Sequence, residues 1–279
     1  MRTLLTAWVL TWLTPLWAKT VVVYPQAETM DARQDYPLKV LALALTKAGA
    51  DFELQPSRRV MTQSRALVQL SQGTDVNVVW TMTSKEREDT FLPIRIPIDK
   101  GLLGWRIFLI NRTKASQFAA VKTLDDLRKY EAGQGHDWPD TDILRASGLK
   151  VQGVVNYDSL FKMLQSGRID YFPRSVVEIG AEETRHPGME LLIEKTIILQ
   201  YPTALYFFVN KDNAHLAHTV EAGLRAAIKD GSFDKLFAAE YGDDIKRANL
   251  KGRTRFQLAN PLLPQRTPLQ DKKLWFGDF

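Results

Sequence analysis

The sequence predicts an α/β protein of two lobes joined by two crossing strands. Three observations carry this. Short β-branched runs alternate with amphipathic helical stretches from residue 19 onward. A second block of the same alternation, about 111–200, interrupts the first. Two long apolar runs, 101–111 and 203–210, flank that insertion. Strands alternating with helices predict βαβ units in mostly parallel sheets. A chain that leaves one sheet and returns to it needs two connections, which form a hinge over a cleft. Ligands prefer the carboxyl ends of strands in such sheets.

The elements follow in order. KTVVVY, 19–24, reads as a buried strand. Asp35 and Pro37 open a helix over 38–48, with Val40, Leu41, Ala44, Leu45 and Ala48 on its apolar face and Gly49 closing it. A strand at 51–55, a helix over 58–72 closed by Gly73 and a strand at 75–80 (DVNVVW) come next. In the second block, Thr123 and Asp126 begin a short helix with a capping pattern. Pro139 lies in the first turn of a helix that ends at Gly148, and 151–155 is a strand. Asn156 caps a helix over 157–166 that Gly167 closes. The strand at 169–172 is stopped by Pro173, and 189–193 and 203–209 are further strands. Helices over 214–229 and 233–241 end at Gly231 and Gly242. From Gln257, three prolines and little periodicity predict an extended tail. No internal repeat is found.

The chain has 279 residues, 45% hydrophobic and 25% charged, with no cysteine. That is ordinary globular composition. It excludes a disordered chain, a disulfide scaffold and thiol catalysis. The net charge of +5 comes with no dense Lys/Arg block, so no nucleic-acid partner is expected. Residues 1–18, MRTLLTAWVLTWLTPLWA, carry Arg2, an apolar run broken by Pro15, and Ala18 before Lys19. This is the layout of a cleaved secretory signal. The rival is a membrane anchor, but the run is short for a core of about 30 Å. The expected organisation is a signal at 1–18, a first lobe at 19–108, a second lobe at 109–204, a return to the first lobe at 205–256 and a tail at 257–279. The expected location is the periplasm.

Three segments resemble a known family. GTDVNVVWTMTSKEREDTFLPIRIPI is similar to the first-lobe stretch of periplasmic solute-binding proteins of the amino-acid ABC-transporter type, family 3-like. SLFKMLQSGRIDYF looks like that family's second-lobe element. NKDNAHLAHTVEAGLRAAIKDGSFDKLFAAEYG resembles its return to the first lobe. The order is correct, the span is about 19–243, and the chain reads as a divergent branch. The resemblance implies a type II periplasmic-binding-protein fold. It also implies a small-molecule ligand clamped between the lobes, a membrane transporter as partner and no cofactor. A sensing subunit for a membrane signalling protein is the alternative, and a cleft enzyme of dehydratase type is a third reading. The chain is expected to be a monomer.

The resemblance also places site residues. Arg87 falls where the family's arginine holds the ligand carboxylate, and a guanidinium fork suits that anion. The alternative is a solvated arginine beside Glu86 and Glu88 at a helix start. Trp80, Thr81 and Thr83 end the preceding strand, where the family uses backbone and hydroxyl groups. Tyr24 ends the first strand as an aromatic wall, and Arg65 lies on the next helix. In GQGHDWPDTDIL, the residues Gln134, His136, Asp137 and Trp138 precede a helix start that could take an anion. Asp137 could instead simply cap that helix. The family's amino-group aspartate has no counterpart: its position is Ser175, beside Arg174, with Glu178 one turn on. An arginine there attracts a second anion. The expected ligand is therefore anionic or amino-acid-like, with dicarboxylates included. His136 with Glu178 would be the acid–base pair of an enzyme reading. His215 and His218 show no metal-ligand spacing with nearby carboxylates, so no metal is expected.

Overall fold

A computed structural model of the chain describes residues 19–26 and 32–278. The expected signal at 1–18 lies outside the described residues. The order is β1 (Thr20–Gln26), α1 (Ala32–Lys47), β2 (Phe52–Val60), α2 (Gln63–Gln72), β3 (Val79–Met82), α3 (Lys85–Thr90) and β4 (Leu92–Ile94). Then come β5 (Trp105–Asn111), α4 (Ala115–Ala119), α5 (Leu124–Leu127), β6 (Glu131–Gly135), α6 (Pro139–Ala146), β7 (Lys150–Val154) and α7 (Tyr157–Gln165). They are followed by β8 (Tyr171–Ser175), α8 (Ile179–Arg185), β9 (Leu191–Ile193), β10 (Ile197–Gln200), β11 (Leu205–Val209), α9 (Ala214–Lys229), α10 (Ser232–Ala248) and β12 (Thr254–Gln257).

In one lobe β1 runs parallel to β2, and β11 lies antiparallel between β3 and β4. Helices α1, α9 and α10 pack together on this lobe. The other lobe is built on a larger sheet in the order β12-β10-β5-β8-β6-β7, with β9 also on β5. β5 is buried on both faces, and its side chains alternate as a strand's must. Ile107 and Leu109 join the cluster that continues into the first lobe, while Phe108 and Ile110 join a second cluster with Tyr171, Ile197 and Leu199.

Two stretches connect the lobes: 95–104, between β4 and β5, and 201–204, between β10 and β11. They touch at Gly104. The Tyr201 N–H donates to the Gly104 carbonyl at 3.1 Å, and a Cβ on Gly104 would sit 2.0 Å from the Tyr201 oxygen. Only glycine permits that approach. Asp99 fixes the first connection. Its carboxylate accepts from the N–H groups of Gly101 at 3.0 Å and Leu103 at 2.6 Å.

Burial pushes the Asp99 carboxyl up to about 6, partly offset by those backbone donors. Folded Asp99 therefore keeps its proton to higher pH than unfolded Asp99 does, near 4. Its stabilising contribution is full below about pH 4 and is lost as pH rises through about 6. The stability difference between the protein and Asp99→Asn should change by up to about 3 kcal/mol across that window. Denaturant melts at pH 4, 5, 6 and 7 measure it, and parallel curves for the two proteins would refute the assignment.

Several elements differ from expectation. α1 begins at Ala32, so Pro37 lies inside it rather than opening it. β2 runs on through Pro56 to Val60, which delays α2 to Gln63, where the Thr62 hydroxyl accepts from Arg65 N–H. Proline fits β2 because, among the described residues, only β1 pairs with it. Pro173 sits within β8 opposite Phe108 instead of stopping the strand. α10 passes through Gly242 to Ala248. β6 (EAGQG), β12 and α8 carry too weak a hydrophobic period to be predicted, and the sequence reading missed β10 (IILQ), a short apolar run. The larger sheet takes β5 from Trp105, ahead of residue 109. It also takes β12, most of which was expected in the first lobe's 205–256. No helix among the described residues is long and apolar enough to cross a membrane.

Candidate ligand-binding cleft

The candidate cleft lies where the ends of β3 and β6 and the helices that follow them approach one another. Arg87 stands in the first turn of α3, which Ser84 caps by accepting from its N–H at 3.2 Å. Its guanidinium is held from one side only, by the first lobe. One terminal nitrogen donates to Thr81 Oγ1 at 2.9 Å and the Met82 carbonyl at 2.8 Å; the other donates to Gln63 Oε1 at 3.0 Å. Among the described residues, Nε and one hydrogen of that second nitrogen have no partner. That is the geometry of a fork open to a carboxylate. Burial lowers the Arg87 pKa, and Asp137 and Asp140, on the facing lobe, with Glu86 pull it back up. The lobes meet here directly, because the Ser64 hydroxyl donates to Asp137 Oδ2.

The second-lobe wall is a buried charge cluster. Arg106 and Arg174 are 1% and 2% exposed. Arg174 grips Glu182 through Nε, at 2.9 and 2.8 Å, and through a terminal nitrogen at 2.6 Å. The Tyr157 hydroxyl donates to the same carboxylate at 2.5 Å. The Arg174 guanidinium also lies 4.9 Å from the Trp138 ring and 5.0 Å from Phe172. Arg106 pairs with Asp140 at 2.6 Å and bonds the Tyr201 oxygen at 3.1 Å, and the Tyr201 hydroxyl donates to Asp140. Glu178 stands between the two arginines, 3.1 Å from Arg174 and 3.4 Å from Arg106, and accepts from the Ser175 N–H at 3.2 Å. Burial opposes the Arg174 charge, but Glu178 and Glu182 outweigh it and hold its pKa well above the ordinary value. Two guanidiniums thus face three carboxylates, and the surplus is negative.

This overturns part of the sequence reading. Arg174 does not offer its charge to a second anion; Glu182 and Glu178 occupy it. Ser175 is fully buried, with its hydroxyl donated to the Leu102 carbonyl at 2.9 Å, so it holds the hinge. Thr83 is also buried and donates to Glu88 at 2.8 Å, inside the first lobe. Asp137 does not cap α6, whose N-cap is Trp138 with no side-chain bond. His136 is exposed, with Asp137 3.8 Å away, and Glu178 is committed to the arginines, so the two form no acid–base pair.

The remaining positions are placed as follows. Thr81 supports Arg87 directly. Trp80 is half-buried between Tyr24 and Phe207, with ring centroids at 6.1 and 6.4 Å, so Tyr24 and Trp80 form one aromatic face. Trp138 stacks on Phe172 at 6.4 Å and 20°. It can do so because a Cβ on Gly135 would lie 2.5 Å from its ring. Gln134 is buried and donates to the Pro173 carbonyl at 3.1 Å, while its Oε1 has no partner among the described residues. Arg65 is exposed. The sequence reading missed Gln63, Ser64, Arg106, Asp140, Glu182 and Tyr201. Arg106 carried a signal, as the lone charge in an apolar strand.

No protein-family model and no curated protein matches the sequence. Solved structures do. The probable amino-acid ABC transporter extracellular-binding protein ytmK from Bacillus subtilis is 18% identical, with a TM-score of 0.61 over 81% of this chain and 99% of that one. An ancestral arginine-binding protein bound to arginine is 19% identical, with a TM-score of 0.60 over 80% and 99%. A histidine kinase sensor domain with similarity to periplasmic binding proteins is 16% identical, with a TM-score of 0.59 over 81% and 96%. At such identities the likeness is one of fold. The chain has the two-lobed type II periplasmic-binding-protein fold, as the resemblance in its sequence implied.

Proposed function

We propose that this chain is an exported solute-binding protein whose lobes close on a small amino-acid-like zwitterion for delivery to a membrane transporter. The observation that carries the reading is the one-sided hold on Arg87: three first-lobe contacts fix the guanidinium and leave a fork free. A ligand carboxylate fits that fork. A ligand ammonium fits the surplus negative charge of the second-lobe cluster, where Asp140, Glu178 and Glu182 outnumber Arg106 and Arg174. A dicarboxylate does not fit, because both second-lobe arginines already have internal counter-ions. Contacts from both lobes favour the closed form through differential affinity. Export follows from the signal-like 1–18, and delivery to a transporter follows from the resemblance to the amino-acid ABC-transporter family.

The test is a thermal-shift screen of residues 19–279 against the standard amino acids. Arg87→Ala should weaken any hit by about thirtyfold or more, since truncating one partner of a buried charge pair costs about 2–5 kcal/mol. Arg87→Lys keeps the charge but loses the fork, and should fall between. A hit that Arg87→Ala leaves unchanged would refute the site.

A further inference from the structure

We propose that the C-terminal segment, residues 253–278, is a strap that limits how far the two lobes open. A two-lobe hinge needs only the connections at 95–104 and 201–204. This chain makes two more. After α10, on the first lobe, the chain crosses to the larger sheet of the second lobe and adds β12 beside β10. Buried Arg253 staples that crossing. Its Nε donates to the Ala248 carbonyl at 2.6 Å, and one terminal nitrogen donates to the carbonyls of Glu194 at 2.6 Å and Ile197 at 3.1 Å.

The chain then returns across the hinge. Leu258 N–H donates to the Gln200 carbonyl at 2.8 Å. Asn260 Nδ2 donates to the Pro202 carbonyl, inside the second connection, at 2.9 Å. The Leu262 carbonyl accepts from Lys85 N–H, at the start of α3 on the first lobe, at 3.2 Å. The last turn closes on the first connection. Phe276 N–H donates to the Lys100 carbonyl at 2.8 Å, and its ring packs on Trp105 and Phe237, at 5.6 and 6.3 Å. Gln200 Nε2 reaches back to the Asp278 carbonyl at 2.6 Å.

These contacts are packed, not draped: Leu258, Leu274 and Trp275 are each 6% exposed. A hinge rotation that separated the lobes widely would have to break bonds to both connections and strip these side chains from their seats. Hinge closure normally works through a few residues that absorb the backbone change. Here the same residues are held from outside. The solved structures reported above are matched over nearly their whole length while a fifth of this chain lies outside the match. This chain therefore carries more than the shared fold.

The test uses the protein without ligand, so it does not depend on the proposed function. The chain has no cysteine, so spin labels at Val68→Cys on α2 and Asp142→Cys on α6 report the lobe separation alone. The intact strap predicts a single narrow distance distribution. Trp275→Ala with Phe276→Ala should add a second, longer component. Asn260→Ala, which leaves the apolar seats intact, should broaden the distribution in the same direction. Far-UV circular dichroism checks folding, and if the double variant fails it, Asn260→Ala carries the reading. Distributions identical to the parent in folded variants would overturn the proposal.

Discussion

Replacing Arg174 with methionine is expected to destabilise the protein by about 3–5 kcal/mol, the usual cost of removing one partner from a buried ion pair. Methionine keeps much of the volume beneath Trp138 and Phe172, so the loss is mainly electrostatic. Glu182, 2% exposed, would lose the three bonds it accepts from the Arg174 guanidinium, and Glu178 would lose the nearer of its two arginines. For a chain of this size that corresponds to a fall in melting temperature of roughly 10 °C. Arg174→Met with Glu182→Leu should recover most of the loss, because an apolar pair can replace a buried ion pair at little cost. A single variant that melts within about 2 °C of the parent would show that Arg174 is not balanced as described.

Gly104→Ala is expected to have a comparable effect through sterics. The added methyl would lie 2.0 Å from the Tyr201 carbonyl oxygen and 3.1 Å from Thr203 Cγ2. Backbone cannot rotate away as a side-chain tip can, so the two lobe connections must separate. That breaks the Tyr201 N–H to Gly104 bond and shifts the Tyr201 hydroxyl off Arg106 and Asp140. Overpacking usually costs about 1–3 kcal/mol, and a backbone clash at a shared crossing belongs at or above the top of that range. Gly242→Ala is the control. It adds a methyl in α10 with nothing within 4 Å, and should stabilise by roughly 0.5–1 kcal/mol. Equal effects of the two substitutions on chemical denaturation would contradict this account of Gly104.

Much of the fold was legible because local chemistry and global packing agree. Thr123 with Asp126 forms the reciprocal cap that its spacing implied, Asn156 caps α7, and Gly231 takes the left-handed conformation after α9. Elements that take their stability from neighbours were not legible. β6 is EAGQG, small and polar, and is a strand because β7 and β8 flank it. Pro173 stays in β8 because the surrounding sheet holds it in register with β5.

The site divides the same way. Arg87 and Thr81 both stand out in a local motif, but the sequence reading makes Thr81 a ligand contact, whereas its hydroxyl accepts from Arg87 six residues on. The fate of Arg174 was not legible. Its partner Glu182 lies two turns along, past a helix start without a hydrophobic signature, and the pairing depends on how α8 docks. Reading Arg174 without Glu182 turned a neutralised wall into an anion trap.

Calorimetric titration of residues 19–279 with the standard amino acids and, separately, with succinate and glutarate tests the central claim most directly. The account predicts saturable heat with at least one zwitterionic amino acid and none with either dicarboxylate. Saturable binding of a dicarboxylate, with silence across the amino acids, would mean that the second lobe presents net positive charge to its ligand. It would contradict the charge balance assigned here to Arg106, Arg174, Asp140, Glu178 and Glu182.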